Sequence, residues 1–255
     1  PMRRGNAFVL FYHRILPVDS QISVRMDVFE AQIRFLKDAG YVFLDARTLA
    51  DFFAGKLEPS GKYVLLTFDD GWADNLFFVT PILKKYSIRA LLAVCISLIL
   101  PSEEKRTFSS FEFYDGKDAL YSAVDKKDMS QFLSWNELRE MKDSGAWDFA
   151  SHGVSHLASY SSFLKIRGFY PKQDHWTMKF ALGGQLFEGA PRAEFRSILA
   201  DPITEISDEF KTLLKKARND AERLNICSTF KNPIRIIESQ DEFRKRVHAE
   251  LLDSK

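Results

Sequence analysis

The sequence predicts an α/β fold whose core is a parallel sheet or barrel. Strand-like and helix-like segments alternate through the first hundred residues and again over 134–153, as in chains built from successive β–α units. Residues 63–68 are almost continuously apolar, which is typical of a parallel strand that is buried on both faces. The 255 residues, 45% of them hydrophobic, can form one sizeable core.

Local patterns place the individual elements. Runs of aromatic and β-branched residues predict strands over 7–13, 41–44, 63–68, 89–97 and 147–153. Apolar residues at helical spacing predict helices over 27–40, 48–55, 75–86, 134–145 and from Ser239 onward.

Helix starts are indicated by residues that can cap the first turn. Capping-box spacing occurs in three pairs, namely Asp27 with Glu30, Ser134 with Glu137, and Ser239 with Glu242. Thr48 and Asp74 are predicted to cap the helices that follow them.

Two stretches interrupt the alternation. Residues 101–130 and 157–204 lack a clear period, and we interpret both as insertions, with the second long enough for a lid or binding loop. Helical periodicity returns over 205–224. We expect one domain spanning 1–255.

Composition restricts the classes of partner. Lys and Arg total 36 against 35 Asp and Glu, so the basic excess typical of a nucleic-acid-binding protein is missing. The longest apolar run, 90–100, is too short to span a bilayer, and no signal peptide is visible. Cys95 and Cys227 lack metal-type spacing, and Cys95 is expected to be a buried thiol.

The stretch TFDDG (67–71) ends a buried strand with two adjacent carboxylates. Their mutual repulsion and desolvation cost several kcal/mol unless a cation or donor compensates. Asp70 and Asp69 therefore form either a solvated turn or part of a site that holds a positive charge.

The stretch SHGVSH (151–156) supplies the complementary groups after another predicted strand. His152 and His156 are four residues apart, so both imidazoles can converge on one ion. Two imidazoles and one carboxylate suit a zinc-like divalent ion, and the second carboxylate can accept the proton of an attacking water. We expect zinc, with cobalt or nickel as alternatives. The other interpretation is that both histidines are ordinary polar residues of a loop.

With TFDDG and HGVSH, the sequence resembles the NodB-type polysaccharide deacetylases, carbohydrate esterase family four. FYHRI (11–15), the helix over 29–41 and PILKKY (81–86) are similar to the branch that includes poly-N-acetylglucosamine deacetylases. The resemblance implies a distorted (β/α) barrel. It implies Asp69 as catalytic base, with Asp70, His152 and His156 as metal ligands.

The resemblance also implies a function. We expect a metal-dependent hydrolase that removes N-acetyl groups from an amino-sugar polysaccharide or glycoconjugate. A substrate of this class favours the cell envelope or another place outside the cytoplasm. Trp72 and His13 are candidate substrate-binding residues, because an aromatic ring can stack on a sugar and His13 follows the first strand. A hydrogen-bonded structural role for His13 is equally consistent with the sequence.

The sequence departs from the family pattern in three places. Gly153 stands where Ser or Thr is usual, which is expected to spare the ligands but loosen the loop. The later motifs that form a groove wall and supply the general acid are missing, so the general acid is unassigned. We expect the closing strands of the barrel to lie beyond Lys255.

Two other functions fit the same motifs. A non-catalytic carbohydrate-binding relative would retain the metal site without the acid and the groove wall. A metal-dependent hydrolase of another small amide would use the same barrel.

Overall fold

The computed structural model describes residues 6–57, 61–103, 105–171 and 176–253. The chain divides into two compact units, one ending at Val154 and the other beginning at Ser155. The single domain expected over 1–255 stays a prediction. The strands expected beyond Lys255 lie outside the described residues.

A parallel sheet forms the centre of the first unit. Its strands are β1 (Asn6–Tyr12), β4 (Val42–Leu44), β5 (Lys62–Asp70), β6 (Ala90–Val94) and β7 (Trp147–Ser151). The sheet order is β1-β5-β6-β7, with β4 also paired to β5, and every pairing is parallel. The predicted parallel α/β architecture is confirmed, and over the described residues the sheet is open.

Residues 63–66 of β5 are all buried, as their unbroken hydrophobicity predicted. A short parallel pair precedes the first helix, formed by β2 (Arg14–Leu16) and β3 (Ser23–Arg25). The sheet has a buried cluster on each face: Val64 and Leu66 of β5 pack in the larger one, and Tyr63 and Leu65 pack with Leu44 of β4 in the smaller one.

Five helices accompany the sheet in the first unit. They are α1 (Met26–Asp38), α2 (Ala46–Phe53), α3 (Thr80–Tyr86), α4 (Gly116–Tyr121) and α5 (Trp135–Asp143). The predicted helix over 75–86 is regular only in its second half, because a π-helical turn occupies Asn75–Val79 before α3 begins.

The three predicted capping boxes have different outcomes. Those at Ser134 and Ser239 are confirmed by reciprocal hydrogen bonds with Glu137 and Glu242. The box at Asp27 is wrong because α1 already begins at Met26, with no side-chain cap. Glu30 instead accepts hydrogen bonds from the Lys85 ammonium and the Tyr86 hydroxyl.

The cap of α2 lies three residues earlier than predicted. Asp45 is the N-cap, and its carboxylate accepts a hydrogen bond from the backbone N–H of Thr48. The Thr48 hydroxyl accepts one from the Asp45 N–H in return. Thr48 therefore completes a reciprocal cap rather than providing it alone.

The stretch over 101–130 is attached to α5 by a buried ion pair. Glu137 is fully buried, and its two oxygens accept hydrogen bonds of 2.8 and 2.6 Å from Nε and a terminal nitrogen of Arg106. Arg106 also donates to the carbonyls of Ser130 and Phe132. Glu137 therefore joins the cap of α5 to this stretch.

Over its described residues, the second unit contains two two-stranded sheets and four α-helices. Its elements are β8 (Ala158–Ser162), α6 (Trp176–Leu182), β9 (Glu194–Ser197), β10 (Thr204–Ile206), α7 (Asp208–Lys216), α8 (Asp220–Thr229), β11 (Ile234–Ile236) and α9 (Gln240–Asp253). β8 pairs with β9 and β10 with β11, both antiparallel. The stretch 157–204 thus has secondary structure of its own.

The helical periodicity predicted over 205–224 is confirmed for most of its length, but it belongs to two helices. The first residues of this stretch form β10, and the rest is divided into α7 and α8. The break occurs at Ala217–Asn219, where the Asn219 side chain accepts a hydrogen bond from the Glu222 N–H and caps α8. An Asn cap competes with helix continuation at this point.

Both cysteines are reduced thiols, and Cys95 is fully buried as predicted. Cys227 packs against the core of the second unit. Burial raises the pKa of the Cys227 thiol to about 11. In the part of the chain that the structure describes, a helix long and apolar enough to cross a membrane is absent.

Replacing Glu137 with Ala is expected to lower the free energy of unfolding by about 3 kcal/mol, because the largely buried guanidinium of Arg106, 14% exposed, loses its fully buried carboxylate partner. Urea unfolding of the variant measures this change. Glu140→Ala is the matched control on the same helix, since Glu140 is half exposed and pairs with Lys105 at 3.6 Å. The control is expected to shift stability by less than about 0.5 kcal/mol. Equal losses in both variants would contradict the role of the buried pair.

Cys227 is expected to react with a disulfide reagent at pH 8 about 100-fold more slowly than an ordinary thiol, because its higher pKa reduces the thiolate fraction. Cys95 is expected to be inaccessible in the folded chain. Titration with Ellman's reagent should therefore show slow reaction of Cys227 in the native protein and rapid reaction of both thiols after unfolding in urea. Fast reaction of one thiol in the native protein, lost in Cys227→Ser, would contradict the burial of this side chain.

Candidate functional site

Groups capable of metal and proton chemistry lie where strands of the parallel sheet end. Asp69 and Asp70 are the last two residues of β5. His13 directly follows β1, and His152 directly follows β7. The carboxyl ends of parallel strands lie on one edge of the sheet, which brings together residues separated by more than a hundred positions in the sequence.

Asp70 has an unusual backbone conformation. Its φ angle is 75°, and Gly71 follows with a φ of 95°. The left-handed region costs a non-glycine residue about 1–3 kcal/mol, and such strain is concentrated at functional sites. In a regular strand, adjacent side chains point to opposite faces of the sheet. The left-handed conformation of Asp70 departs from regular strand geometry at this point.

The two aspartates differ in environment. The Asp70 side chain is 4% exposed, whereas Asp69 is half-buried. Asp70 is paired with Val94 of β6, and its carbonyl accepts a hydrogen bond from the Cys95 N–H. The backbone of Asp70 is thus fixed in the sheet, and its carboxylate is shielded from solvent.

One five-residue turn carries both histidines of the second motif. It begins at the end of β7, where the His152 N–H donates to the carbonyl of Val94. Gly153 has a φ of 81°, and its carbonyl accepts a hydrogen bond of 3.2 Å from the Ile96 N–H. His156 has a φ of 51°. A glycine at position 153 therefore suits the left-handed conformation that the turn requires.

The expected ligands are brought together by this turn. Oδ1 of Asp70 lies 3.6 Å from Nε2 of His152. One possible ligand atom from each of Asp70, His152 and His156 lies within 4.8 Å of the others. The backbone turn between His152 and His156 places the His156 imidazole within this distance of the other two.

The residues fit a divalent ion of the zinc type. Two donor atoms bound to one tetrahedral zinc at about 2.0–2.1 Å are about 3.3 Å apart, close to the separation between Asp70 and His152. One carboxylate oxygen with two imidazole nitrogens is a common protein ligand set for zinc and leaves a position for water or substrate.

Trp72 does not have the location predicted for a substrate-binding residue. Its side chain is fully buried, so its indole ring cannot stack on a sugar. It is stacked on Phe132 at 4.3 Å, and its Nε1–H donates a 3.1 Å hydrogen bond to Oδ2 of Asp70. We therefore correct its role from contact with substrate to support of Asp70.

His13 lies close to the same carboxylate. Its side chain is 33% exposed, and its Nε2 is 4.0 Å from Oδ2 of Asp70. Its role in substrate binding stays a prediction. The position is also suited to proton transfer, because the ring is near the site and accessible to solvent.

Asp74 does not cap a helix as predicted. It is fully buried, and its carboxylate accepts hydrogen bonds from Nε of Arg14 at 2.7 Å and from the Ile15 N–H at 3.0 Å. Burial raises the pKa of the Asp74 carboxyl, against the lowering effect of the Arg14 guanidinium. Sequence reasoning missed Arg14, and the only local signal is a charged residue within an otherwise apolar strand.

Comparison with known proteins connects this geometry to a family. Residues 56–177, which include the expected catalytic base and the three expected metal ligands, match the family model described as polysaccharide deacetylase. YxkH of Bacillus subtilis (strain 168), which is named provisionally as a polysaccharide deacetylase, is 38% identical over 201 residues. The alignment covers 79% of this chain and 58% of that relative, so the chain spans a little over half of its length.

Two solved structures have a similar fold. One is a de-N-acetylase from Aggregatibacter actinomycetemcomitans, with a TM-score of 0.55 and 19% sequence identity. The alignment covers 97% of this chain and 72% of the chain of that protein. The other is the BpsB deacetylase domain from Bordetella bronchiseptica, with a TM-score of 0.51 and 18% sequence identity. That alignment covers 96% of this chain and 72% of the chain of the domain. At this identity the two structures show the fold alone, whereas the family model and the Bacillus relative show that residues 56–177 are of the polysaccharide deacetylase type.

Proposed function

We propose that this protein hydrolyses N-acetyl groups of an amino-sugar polysaccharide or glycoconjugate and releases acetate. The observation that carries the proposal is the carboxylate–imidazole group formed by Asp70, His152 and His156 beside a second carboxylate, Asp69. The family match supports the reaction class, and the names of the two solved structures describe deacetylation by those proteins. Such a substrate would place the protein at the cell envelope or outside the cytoplasm.

Asp70, His152 and His156 would hold one divalent ion, for which zinc is proposed and cobalt or nickel are alternatives. When bound, such an ion supplies a positive charge that polarises an amide carbonyl and lowers the pKa of water to about 7. The same charge offsets the repulsion between the neighbouring carboxylates.

Asp69 is proposed as the general base. A carboxylate oxygen of Asp69 accepts a proton from the water that attacks the acetyl carbon. Its greater exposure than Asp70 is consistent with this division, because the base must reach the reacting water whereas the ligand is held in the sheet. The new carbon–oxygen bond replaces the carbon–nitrogen bond, and acetate and a free amine are the products.

His13 is proposed to supply the proton that the departing amine needs. Its Nε2 lies 4.0 Å from Asp70, and a third of its side chain is exposed. A protonated imidazole at this location can donate to the amide nitrogen and then recover its proton from solvent.

The direct test is acetate release from N-acetylglucosamine oligomers by the purified chain supplied with zinc. Release that depends on oligomer length supports a polysaccharide deacetylase. Hydrolysis of small amides without turnover of the oligomers would favour the other amide hydrolase, and oligomer binding without acetate release would favour a carbohydrate-binding protein.

The adjacent aspartates provide a matched pair of variants. Asp70→Ala is expected to lose the bound zinc, because it removes the only carboxylate in the ligand set. Asp69→Asn is expected to retain about one zinc per chain and lose about 10²- to 10⁴-fold in kcat, because an amide cannot accept the proton. Elemental mass spectrometry and acetate release measure the two effects. Loss of zinc in both variants, or unchanged turnover in Asp69→Asn, would contradict the assignment.

His13→Gln is expected to reduce kcat about 10²-fold while zinc content stays unchanged, because only the proton donor is removed. A general acid acts in its protonated form, so the alkaline limb of the pH–rate profile should change together with kcat if His13 donates a proton. His248→Gln on α9 is the control and is expected to leave turnover unchanged. A rise in KM alone would instead favour the substrate-binding role of His13.

A further inference from the structure

We propose that Trp72 is a positioning residue that gives the two oxygens of Asp70 different tasks, and that the buried Arg14 supports Trp72 in this role. The inference rests on the proposed metal ligand Asp70 and goes beyond the reaction itself. It concerns a group of fully buried side chains beneath the site, all of them within the first unit.

The first observation is the division of contacts at Asp70. Oδ2 accepts the hydrogen bond from Nε1–H of Trp72, whereas Oδ1 is the oxygen nearest His152. A carboxylate that can rotate presents either oxygen to an ion. The indole N–H restrains this rotation and leaves Oδ1 directed at the histidine. Groups that hold metal ligands in this way change metal affinity about 10- to 100-fold when removed.

The second observation is that Trp72 itself is fixed. It contacts the Phe132 ring at 4.3 Å, and the Arg14 guanidinium carbon lies 4.6 Å from the indole centroid. Both partners are fully buried. The backbones of Trp72 and Phe132 also form an antiparallel bridge. The direction of the indole N–H is therefore determined by backbone pairing, ring stacking and a cation.

The third observation is the way Arg14 is held. Nε donates to Asp74 at 2.7 Å, one terminal nitrogen to the Tyr114 carbonyl at 2.8 Å, and the other to Oε1 of Gln131 at 3.1 Å. The Gln131 amide donates in turn to the carbonyl of Glu112. A buried ion pair contributes little net stability compared with apolar packing. Its presence next to the tryptophan that contacts Asp70 points to a functional use.

The cation also acts electronically. A guanidinium near an indole withdraws charge from the ring system, which makes the Nε1–H a stronger donor to a carboxylate. The chain Asp74–Arg14–Trp72–Asp70 thus stabilises the Asp70 carboxylate without placing a cation in the space that the metal needs. An arginine in direct contact with Asp70 would compete with the ion for the same oxygens.

The test compares two tryptophans that make the same kind of bond. Trp147 is also buried, and its Nε1–H donates to the Thr80 hydroxyl at 2.9 Å rather than to a proposed ligand. Trp72→Phe and Trp147→Phe each remove one buried indole N–H and leave a smaller ring. Unfolding in urea and zinc affinity, measured by competition with a chelator, are determined for both variants.

The expected result is a zinc affinity about 10- to 100-fold weaker in Trp72→Phe and within about threefold of wild type in Trp147→Phe, with comparable losses of stability. Equal affinities in the two variants would overturn the positioning role. Wild-type protein that binds zinc without releasing acetate would reject the proposed reaction and leave this inference standing. Wild-type protein that binds no zinc would reject both.

A measurement on the wild-type fold covers the case in which Trp72→Phe does not fold. The four tryptophans give four indole N–H signals in nitrogen-labelled protein, and Trp→Phe substitution at the other three positions assigns the signal of Trp72. Zinc is expected to shift the Trp72 signal and leave that of Trp147 unchanged. A Trp72 signal that does not respond to zinc would overturn the proposal.

Discussion

Parallel pairing of β5 with β1 and β6, and of β6 with β7, is the constraint on which the site depends. The register places Tyr12 opposite Phe68, and Asp70 opposite Val94, which is itself opposite Ser151. Each strand therefore ends near the same edge of the sheet, and the residue that follows each strand lies at this edge as well. A shift of one residue in any pairing would turn the side chains to the other face, so strand register controls both the core and the site.

Burial at this edge has an energetic consequence. Asp70 is 4% exposed and has a left-handed backbone, two features that each oppose folding. The sheet opposes this cost through backbone hydrogen bonds on Asp70 and His152, and the indole of Trp72 solvates one carboxylate oxygen. Stability in the surrounding core thus maintains a local arrangement that is unfavourable by itself, as is common at functional sites.

The sequence was informative where a local pattern determined the structure. The apolar run of β5, the Ser134–Glu137 box and the close approach of the two motifs depend on residues that are near in sequence or on the general rule for parallel strands. The local pattern did not predict that Asp27 lies inside α1, or that the helical segment over 205–224 is interrupted. Each local signal there was overruled, by an earlier helix start in one case and by the Asn219 cap in the other.

The support beneath the site could not be predicted in this way. Arg14 is 60 residues from Asp74 and 117 residues from Gln131 in the sequence. No spacing rule connects residues so far apart. Trp72 lies two residues after Asp70, and its aromatic character alone is equally consistent with a sugar-binding surface. Only its burial distinguishes the two uses. Because a buried indole has one polar atom to satisfy, the partner of that N–H determines what the tryptophan does, and here the partner is the carboxylate at the centre of the proposed site.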